Sequence, residues 1–346
     1  MEIGLNMFFL GDIAIPHGVR PTIEKLNLFN NVIANLEGCI ATEEMVSLQD
    51  DKLFSNDNII DFLKQLNVVG VTLANNHITD VPQAFDRTKE LLTMNSIKHG
   101  GAGTSLAEAS EPIVIEEDGI QYVLLAFGWD VVSCKYVRNG KLGVNPLTEL
   151  NVLTSIKASK ENYPDSRIII LPHWDYELER YPMPMQRELA KKAIEAGAFA
   201  VIGHHPHCIQ DIEIYKNHLI CYSLGNWFIP EKIYMDGNLK LPAYTYSEYA
   251  IDVKAQGFTV HKFCYVPDGH TLTYNSCKCF SYDSNYSECE FDGMSDAEYL
   301  VWFRKKRVKK KLLPVFSGTD ESMINKMKSN FVKCRHKLLK FINHKR

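Results

Sequence analysis

The sequence lacks the apolar segments that would take a chain into or across a membrane. No stretch of its 346 residues approaches the run of roughly eighteen apolar residues that a membrane-spanning helix needs. The first residues, MEIGLNMFFLGD, contain no basic segment, no apolar core of signal-peptide length and no small-residue cleavage site. These absences lead us to expect a cytoplasmic protein.

Closely spaced cysteine pairs and internal repeats are also missing. The nine cysteines are scattered, and only Cys277 and Cys279 are near neighbours, in a pattern that is not C-x-x-C. We therefore expect reduced thiols rather than a zinc ribbon or a disulfide framework. The net charge of −4 is too small to indicate a partner for the whole chain, although basic residues are concentrated in the C-terminal tail.

Short apolar runs rich in β-branched residues alternate with helix-like segments, which indicates an α/β fold with a mixed sheet system. One amphipathic helix is predicted at 55–67, with Ser55 or Asn56 as its N-cap, and another at 184–198, with Gly197 at its C-terminal end. The strands predicted before polar residues are 6–10, 31–36, 68–73, 167–171 and 199–202, and hairpins are predicted at 117–119, at 216–217 and within 249–266.

Each of the five predicted strands is followed by side chains that can bind a metal. Open α/β sheets gather function in the loops beyond the carboxyl ends of their strands, so this repeated pattern predicts one shared site. The residues in question are Gly11-Asp12, Glu37, Asn75-Asn76-His77, His173-Trp174 and Gly203-His204-His205-Pro206-His207.

The oxygen-bearing residues allow two interpretations. Asp12 is either a cation ligand or the cap of a turn, and Glu37 is either a ligand or a solvated carboxylate. Asn35 lies two residues before Glu37 and would point the same way in a strand. The segment ANNHITD is either a turn, or it supplies Asn76 as an oxygen ligand and His77 as a proton donor.

The histidine-rich segment VIGHHPHCIQ predicts metal or phosphate chemistry, with a polar loop as the alternative. Because a residue before proline is restricted to extended backbone, Pro206 would aim His205 and His207 at one point. Imidazole nitrogens mixed with oxygens, and no thiolate, suit Mn, Fe, Zn or Ni better than Ca or Mg. In PHWDYELERYP, Trp174 is expected to pack and Glu179 to be solvated. His17, His99 and His218 are expected to be ordinary surface or core residues.

These motifs, taken together and in order, resemble the CapA family of bacterial capsule and poly-γ-glutamate synthesis proteins, a branch of the calcineurin-like metallophosphoesterases. The resemblance covers residues from about 5 to 265. The motifs that carry it are Gly11-Asp12, Asn35-Leu36-Glu37, Ala74-Asn75-Asn76-His77, HGGAGTSLAEASEP, His173-Trp174 with Glu177, Gly203-His204-His205-Pro206-His207 and Tyr222-Ser223-Leu224-Gly225-Asn226.

The resemblance implies a metallophosphatase-like four-layer sandwich, in which two mixed sheets are flanked by helices, with one or two divalent ions (Mn, Fe or Zn) at the strand ends. It implies catalytic roles for His77, Asp12 and Glu177, with His77 as the acid that assists the leaving group. The implied metal ligands are Asp12, Glu37, Asn76, His173, His205 and His207, and the implied substrate-binding or ligand-orienting residues are Asn35, Asn75, His204, Trp174 and Asn226.

The chain departs from the usual superfamily pattern in ways that bear on metal binding. Where typical members have Asp-x-His this chain has Asp12-Ile13-Ala14, so one metal position loses its histidine, and Glu37 replaces an aspartate. Asp175 stands where the family usually has glycine after His-Trp, and we expect it to add a carboxylate near the site.

We predict a CapA-like domain at 1–292 and a basic helical extension at 293–346. The function implied is a metal-dependent hydrolase of phosphoester, amide or ester bonds in cell-surface polymer synthesis; the alternative is a non-catalytic metal-binding factor in capsule polymer assembly. Implied partners are an anionic polymer or phosphorylated precursor and capsule-synthesis proteins. The basic and apolar tail indicates peripheral membrane contact rather than nucleic-acid binding, because no base-stacking platform accompanies it.

Overall fold

The computed structural model describes residues 7–16, 18–46, 52–117, 119–138, 140–230, 241–283, 289–308, 313–319 and 322–343, with side chains up to residue 339 in the last segment. His17, Asp118 and residues 309–312 and 344–346 of the basic tail lie outside the described residues.

Strands and short helices alternate through the described chain. The strands are β1 Met7–Ile13, β2 Thr22–Ile23, β3 Val32–Leu36, β4 Cys39–Ile40, β5 Phe54–Ser55, β6 Val68–Thr72, β7 Lys98–Gly100, β8 Ala102–Gly103, β9 Ile113–Glu117, β10 Ile120–Gly128, β11 Gly143–Val144, β12 Arg167–His173, β13 Ala200–Ile202, β14 Ile212–Tyr215, β15 His218–Cys221, β16 Asn226–Phe228, β17 Ser247–Val253, β18 Gly257–Val266 and β19 Thr271–Ser281. The α-helices are α1 Asn58–Gln65, α2 Phe85–Met94, α3 Leu106–Ala109, α4 Glu149–Asn162, α5 Pro184–Glu195, α6 Asp296–Lys306 and α7 Met323–Asn343. Short 3₁₀ turns occur at Leu26–Leu28, Glu43–Met45, Pro82–Ala84, Asp130–Val132 and Ala243–Tyr246.

The first sheet has the order β2-β19-β18-β17-β1-β3-β6-β7, with β16 also paired to β1. β1, β3, β6 and β7 are parallel neighbours, whereas β17 runs antiparallel to β1. In the register of the parallel strands Asp12 lies beside both Asn35 and Asn226. Polar residues from three segments of the sequence are thereby brought to one edge of the sheet.

The second sheet has the order β14-β15-β13-β12-β10-β9. Its four inner strands are parallel, and a hairpin closes each edge, β9 with β10 and β14 with β15. The carboxyl end of β12 carries His173, and the loop after β13 carries the histidine-rich segment.

The two sheets pack against each other and are covered by helices on their outer sides. α1 and α2 contact strands of the first sheet, α4 and α5 contact strands of the second, and β9 contacts β6 and β7 across the interface. The predicted α/β sandwich of two mixed sheets flanked by helices is confirmed. All seven residues of β1 and all five of β3 are buried, as expected for parallel strands covered on both faces.

The five predicted strands and three predicted hairpins are present. Their ends shift by up to three residues, and β1 and β12 continue past the predicted ends at 10 and 171, so that they include Asp12 and His173. The predicted cap of the first helix is wrong. α1 begins after Asp57, which makes no side-chain cap hydrogen bond, and the Ser55 hydroxyl instead accepts the N–H of Ile15. The Ser55 hydroxyl, which the local sequence pattern predicted as a helix cap, therefore makes a tertiary hydrogen bond instead.

The C-terminal segment contacts the second sheet's helices through buried aromatic residues. Tyr299 and Phe303 of α6 are buried, and the Tyr299 hydroxyl donates to the carbonyl of Pro182 just before α5. Val332 of α7 is fully buried. The boundary near residue 292 stays a prediction. Among the described residues, no helix has the length and apolar character needed to cross a bilayer.

Candidate metal centre

Two carboxylates from the first sheet lie at one buried point. The amide of Asn35 donates one hydrogen bond to Asp12 Oδ1, at 2.7 Å, and another to Glu37 Oε2, at 2.6 Å. All three side chains are fully buried. The other oxygen of each carboxylate, Asp12 Oδ2 and Glu37 Oε1, faces the histidines of the second sheet.

The Asn75 and Asn76 pair follows β6 and serves two different purposes. Asn75 donates to Asn35 Oδ1 at 3.1 Å and accepts the N–H of Gly38, so it orients the amide that holds the carboxylates. Asn76 Oδ1 lies 2.7 Å from His173 Nε2. The turn interpretation and the ligand interpretation of this segment are therefore compatible.

The second sheet supplies a row of imidazoles. The rings of His173 and His205 are 4.6 Å apart and those of His205 and His207 are 5.5 Å apart. His173 Nε2 lies 3.7 Å from Glu37 Oε1, and His207 Nδ1 lies 3.4 Å from Asp12 Oδ2. Side chains that are far apart in the sequence thus meet across the interface between the sheets.

The backbone of the histidine-rich loop differs from the prediction. His205 has φ +100° and His207 has φ +55°, so the residue before Pro206 is not in the extended region. Positive φ is rare and strained for side chains other than glycine. The His205 N–H donates to Asp12 Oδ2 at 3.2 Å, which ties this unusual backbone to the carboxylate of the other sheet.

The donor set fits a divalent metal. Two groups of side chains have ligand atoms within 4.8 Å of one another, Asp12 with Glu37 and His173, and Glu37 with His205 and His207. Glu37 belongs to both groups. Within the described residues, Glu37 Oε1, His173 Nδ1 and His205 Nδ1 are buried without a hydrogen-bond partner, which is costly unless something else satisfies them.

The pKa shifts of the side chains in the centre also fit a divalent metal. Burial, and then the neighbouring Asp12 carboxylate, raises the pKa of Glu37 well above its usual range. Burial, and then the neighbouring imidazoles, lowers the pKa values of His173 and His205 well below the usual range of histidine, which leaves these rings neutral. Neutral imidazoles and deprotonated carboxylates are the forms that bind metal, so a cation would offset the cost of ionising Glu37.

The proton donor predicted at His77 has a partner that the sequence argument overlooked. His77 Nδ1 lies 2.7 Å from Asp80 Oδ2, and the side chain of His77 remains one-quarter exposed. The signal was available, because an acid three residues after a histidine can contact it in a turn. A carboxylate on Nδ1 fixes the ring and leaves Nε2 for proton transfer.

His204 and Trp174 support the centre from behind. His204 Nε2 lies 3.2 Å from the carbonyl of Leu10 in β1, so this imidazole joins the two sheets. Trp174 is buried and donates its indole N–H to the carbonyl of Tyr222 at 2.9 Å, consistent with packing. Asn226 Oδ1 accepts from His207 Nδ1 at 2.8 Å.

Three acids after His173 have different environments. Glu177 is exposed and lines the cavity in front of the centre. Glu179, predicted to be solvated, is fully buried, because its carboxylate accepts the backbone N–H groups of Arg180 and Val308. Asp175, expected to add a carboxylate near the site, has φ +68° and a fully buried side chain.

Asp175 accepts hydrogen bonds from the N–H groups of Tyr176 and Met183 and from the Gln210 amide. Burial, followed by Glu179, raises the pKa of Asp175 to about 8. The left-handed backbone of Asp175, with φ +68°, is a conformation that glycine adopts without strain. His99 and His218 are half-buried, outside both ligand groups, and His17 lies outside the described residues.

Residues 9–231 match the family model described as bacterial capsule synthesis protein PGA_cap. The chain belongs to this family. PGA_cap relatives include the capsule biosynthesis protein CapA of Bacillus anthracis, 27% identical over 244 residues, which are 64% of this chain and 59% of that protein. The PGA biosynthesis protein CapA of Bacillus subtilis (strain 168) is 28% identical over 241 residues, 64% of this chain and 63% of that protein.

The chain thus spans about three-fifths of the length of these curated relatives. The CapA resemblance inferred from the motifs is confirmed. Solved structures with some likeness include NAD nucleotidase NadN of Haemophilus influenzae, at 12% identity and TM-score 0.37 over 80% of this chain and 50% of that one. A 5′-nucleotidase precursor of Thermus thermophilus has 11% identity and TM-score 0.36 over 80% of this chain and 54% of that one.

Proposed function

We propose that this PGA_cap protein is a metal-dependent hydrolase that acts on phosphoester, amide or ester bonds of a capsule or poly-γ-glutamate polymer or its precursors. The observation that carries the proposal is the position of Glu37, whose carboxylate belongs to both groups of ligand atoms. A carboxylate shared in this way suits one or two closely spaced cations. The names of the CapA relatives support the polymer as the substrate class.

Asp12, Glu37 and His173 would hold one cation, and Glu37, His205 and His207 the other, with Asn76 as a further oxygen donor. When bound, divalent cations supply Lewis acidity, which polarises a phosphoryl or carbonyl oxygen and activates water. The choice among Mn, Fe and Zn follows from the mixture of nitrogen and oxygen donors.

The surrounding side chains prepare the donors for this role. Asn35 holds both carboxylates in place. The Asn226 carbonyl oxygen holds the proton of His207 on Nδ1, which leaves Nε2 with its lone pair. His77, with Asp80 on its Nδ1, would donate a proton from Nε2 to the leaving group. Glu177 lies at the exposed wall, where it would contact substrate.

One observation favours the second function, a metal-binding assembly factor without turnover. The position where the superfamily pattern has a histidine is Ala14, which is fully buried and packs with Leu53 and Ile229. No metal-binding side chain replaces the missing imidazole at this position. A site with fewer nitrogen donors would bind the polymer or its precursor and position it for another protein.

The two functions are separated by metal analysis of purified full-length protein combined with a phosphoester and γ-glutamyl substrate screen. Hydrolase function predicts a bound transition metal, turnover of at least one substrate class, and loss of both in His173→Ala and His207→Ala. His218→Ala, outside both ligand groups, is the matched control and should retain metal and turnover. Metal retained by the wild type with no turnover in any screen would favour the assembly factor instead.

We further propose peripheral membrane contact through α7. Residues 323–343 contain six Lys and Arg and no Asp or Glu, and apolar side chains at helical spacing are exposed, including Ile324 and Met327 at 65% and Phe331 at 50%. Such a basic, apolar face suits an anionic lipid surface. Replacing Ile324, Met327 and Phe331 with serine should abolish co-sedimentation with anionic vesicles, and unchanged co-sedimentation would contradict the contact.

A further inference from the structure

A cavity of about 560 Å³ opens in front of the metal centre, and the C-terminal segment forms one of its walls. Asn76 and His205 reach it from the side of the candidate ligands, while Arg335 and His336 reach it from α7. The remaining lining residues are Val132, Ser133, Tyr176, Glu177, Val308 and Leu313. Residues from outside the family-matched range 9–231 therefore face the same space as the candidate ligands.

α7 is attached to this wall by specific contacts. Lys333 forms an ion pair with Asp130, and the Ser133 hydroxyl lies 3.4 Å from His336 Nδ1. Val332, one residue before Lys333, is fully buried. Buried Val332 and the contacts of Lys333 and His336 together hold the face that bears Arg335 towards the cavity.

The segment that precedes α7 reinforces the attachment. The Tyr176 hydroxyl donates to the carbonyl of Pro314 at 3.1 Å, and the carbonyl of Phe316 accepts the N–H of Met185. The Phe316 ring packs edge-on against Trp129 at 5.1 Å. The extension is thus built onto the rim of the site by polar and apolar contacts together.

The charge on this wall is positive. Arg335 is half-buried and has no ion-pair partner among the described residues, whereas Lys333 on the same helix is neutralised by Asp130. Burial and then Asp175 raise the pKa of Tyr176, and Arg307 and Arg335 act in the opposite direction, which places the Arg335 charge near the Tyr176 hydroxyl. Glu177, the acid in the lining, is exposed to solvent.

We infer that Arg335 of α7 forms an anion-binding subsite beside the metal centre, which holds a carboxylate or phosphate group of the substrate next to the bond to be cleaved. The identification of the bound anion as part of the substrate rests on the proposed hydrolase function, whereas the binding of an anion by Arg335 does not depend on it. A planar guanidinium binds the two oxygens of such a group at once and is always charged. His336, beside it in the lining, would contact the same group.

Isothermal titration of purified full-length protein tests the subsite, with inorganic phosphate and γ-glutamyl-glutamate as the two probes. Arg335→Gln should weaken binding of at least one probe about tenfold, since a charge-assisted hydrogen bond is lost, and Arg335→Lys should recover part of the loss. The probe that is affected identifies the anion, phosphate or carboxylate. Metal content should be the same in all proteins.

Lys337→Gln is the matched control, because Lys337 is an exposed cation of the same helix outside the cavity lining. Binding of both probes by Arg335→Gln at wild-type affinity, equal weakening in Lys337→Gln, or absence of binding by the wild type would overturn the subsite. Turnover is measured separately. Arg335-dependent binding without turnover would remove the hydrolase and keep the subsite, whereas turnover with unaltered binding in Arg335→Gln would do the reverse.

Discussion

The two sheets contribute different chemistry to the same centre. The first sheet supplies oxygen donors, Asp12 at the end of β1, Glu37 after β3 and Asn76 after β6. The second supplies nitrogen donors, His173 at the end of β12 and the imidazoles after β13. Each predicted cation position takes donors from both. The centre is therefore a property of the interface between the sheets, and neither sheet alone provides a complete ligand set.

Each sheet also has a glycine beside its candidate ligands, Gly11 within β1 next to Asp12 and Gly203 directly after β13, before the histidine-rich loop. A Cβ on Gly11, just before Asp12, would lie 2.0 Å from the carbonyl oxygen of Gly225, and one on Gly203 would lie 2.1 Å from that of Tyr222. Backbone approaches of this kind have no room for a side chain. Both sheets thus need a glycine for a close backbone approach next to the centre, although one sheet contributes oxygen donors and the other nitrogen donors.

The largest expected effect is that of Glu37→Gln, which removes the donor common to both groups. Metal affinity should fall at least about 100-fold, more than the loss usual for residues that only orient ligands, as measured by metal analysis after dialysis. The fold should persist, because burial already favours the uncharged carboxyl and glutamine keeps the acceptor for Asn35. Glu179→Gln, a buried acid outside both groups, should keep its metal. Retention of metal by Glu37→Gln would show that the carboxylate common to both ligand groups is not needed for metal binding.

Gly11→Ala and Gly203→Ala test whether the two sheets depend equally on close backbone approach. Each should lower the free energy of unfolding by about 1–3 kcal/mol, the usual cost of forcing atoms into a packed site, in chemical denaturation. Similar losses are expected, since the Cβ clashes are of similar severity. A loss in only one variant would show that the other sheet can adjust.

A pH titration separates the site's histidines from a histidine that only packs. Burial, and then Lys254, lowers the pKa of His261 in the first sheet to about 4, and its ring lies between Phe8 and Tyr274. Below the ordinary pKa of histidine, near 6.5, the unfolded chain binds a proton that the folded chain excludes. Stability from this group is therefore present at neutral pH and is lost as the pH falls towards about 4.

Between pH 7 and pH 5 the free energy of unfolding should fall by about 2 kcal/mol more in the wild type than in His261→Phe. The reason is the linkage between proton binding and folding. Denaturant titrations of metal-free protein at the two pH values measure this difference. Equal pH dependence in the two proteins would mean that the site's own histidines dominate the acid response.

The smallest effect is expected from Asn226→Ala, which leaves both groups of ligands intact but removes the acceptor for His207 Nδ1. Metal affinity should fall about tenfold, as is typical when a partner that orients a ligand is lost. Asn226→Asp keeps an acceptor and should retain most of the affinity. An alanine variant with wild-type affinity would show that Asp12, 3.4 Å from the same nitrogen, is sufficient to orient the ring.

Much of the centre was predictable because strand ends are recognisable in sequence. Apolar runs followed by polar residues located Asp12, Glu37, His173 and the histidine-rich loop, since parallel strands bring their carboxyl ends to one edge. The inward turn of Asp175 was not predictable, because it depends on donors from Met183 and the distant Gln210. The burial of an acid depends on which chain segment covers it, and local patterns do not contain that information.

The linear order of residues was enough to establish the α/β class, the strand ends and the supply of nitrogen and oxygen donors, because hydrophobic periodicity and local chain geometry act over a few residues. The packing of the two sheets and the C-terminal helix decided three other features. These are the carboxylate that belongs to both ligand groups, the positive φ of His205 before Pro206, and the position of Arg335 in the wall of the cavity. These features require contacts between residues far apart in the chain, whose geometry is set only when the complete core is assembled.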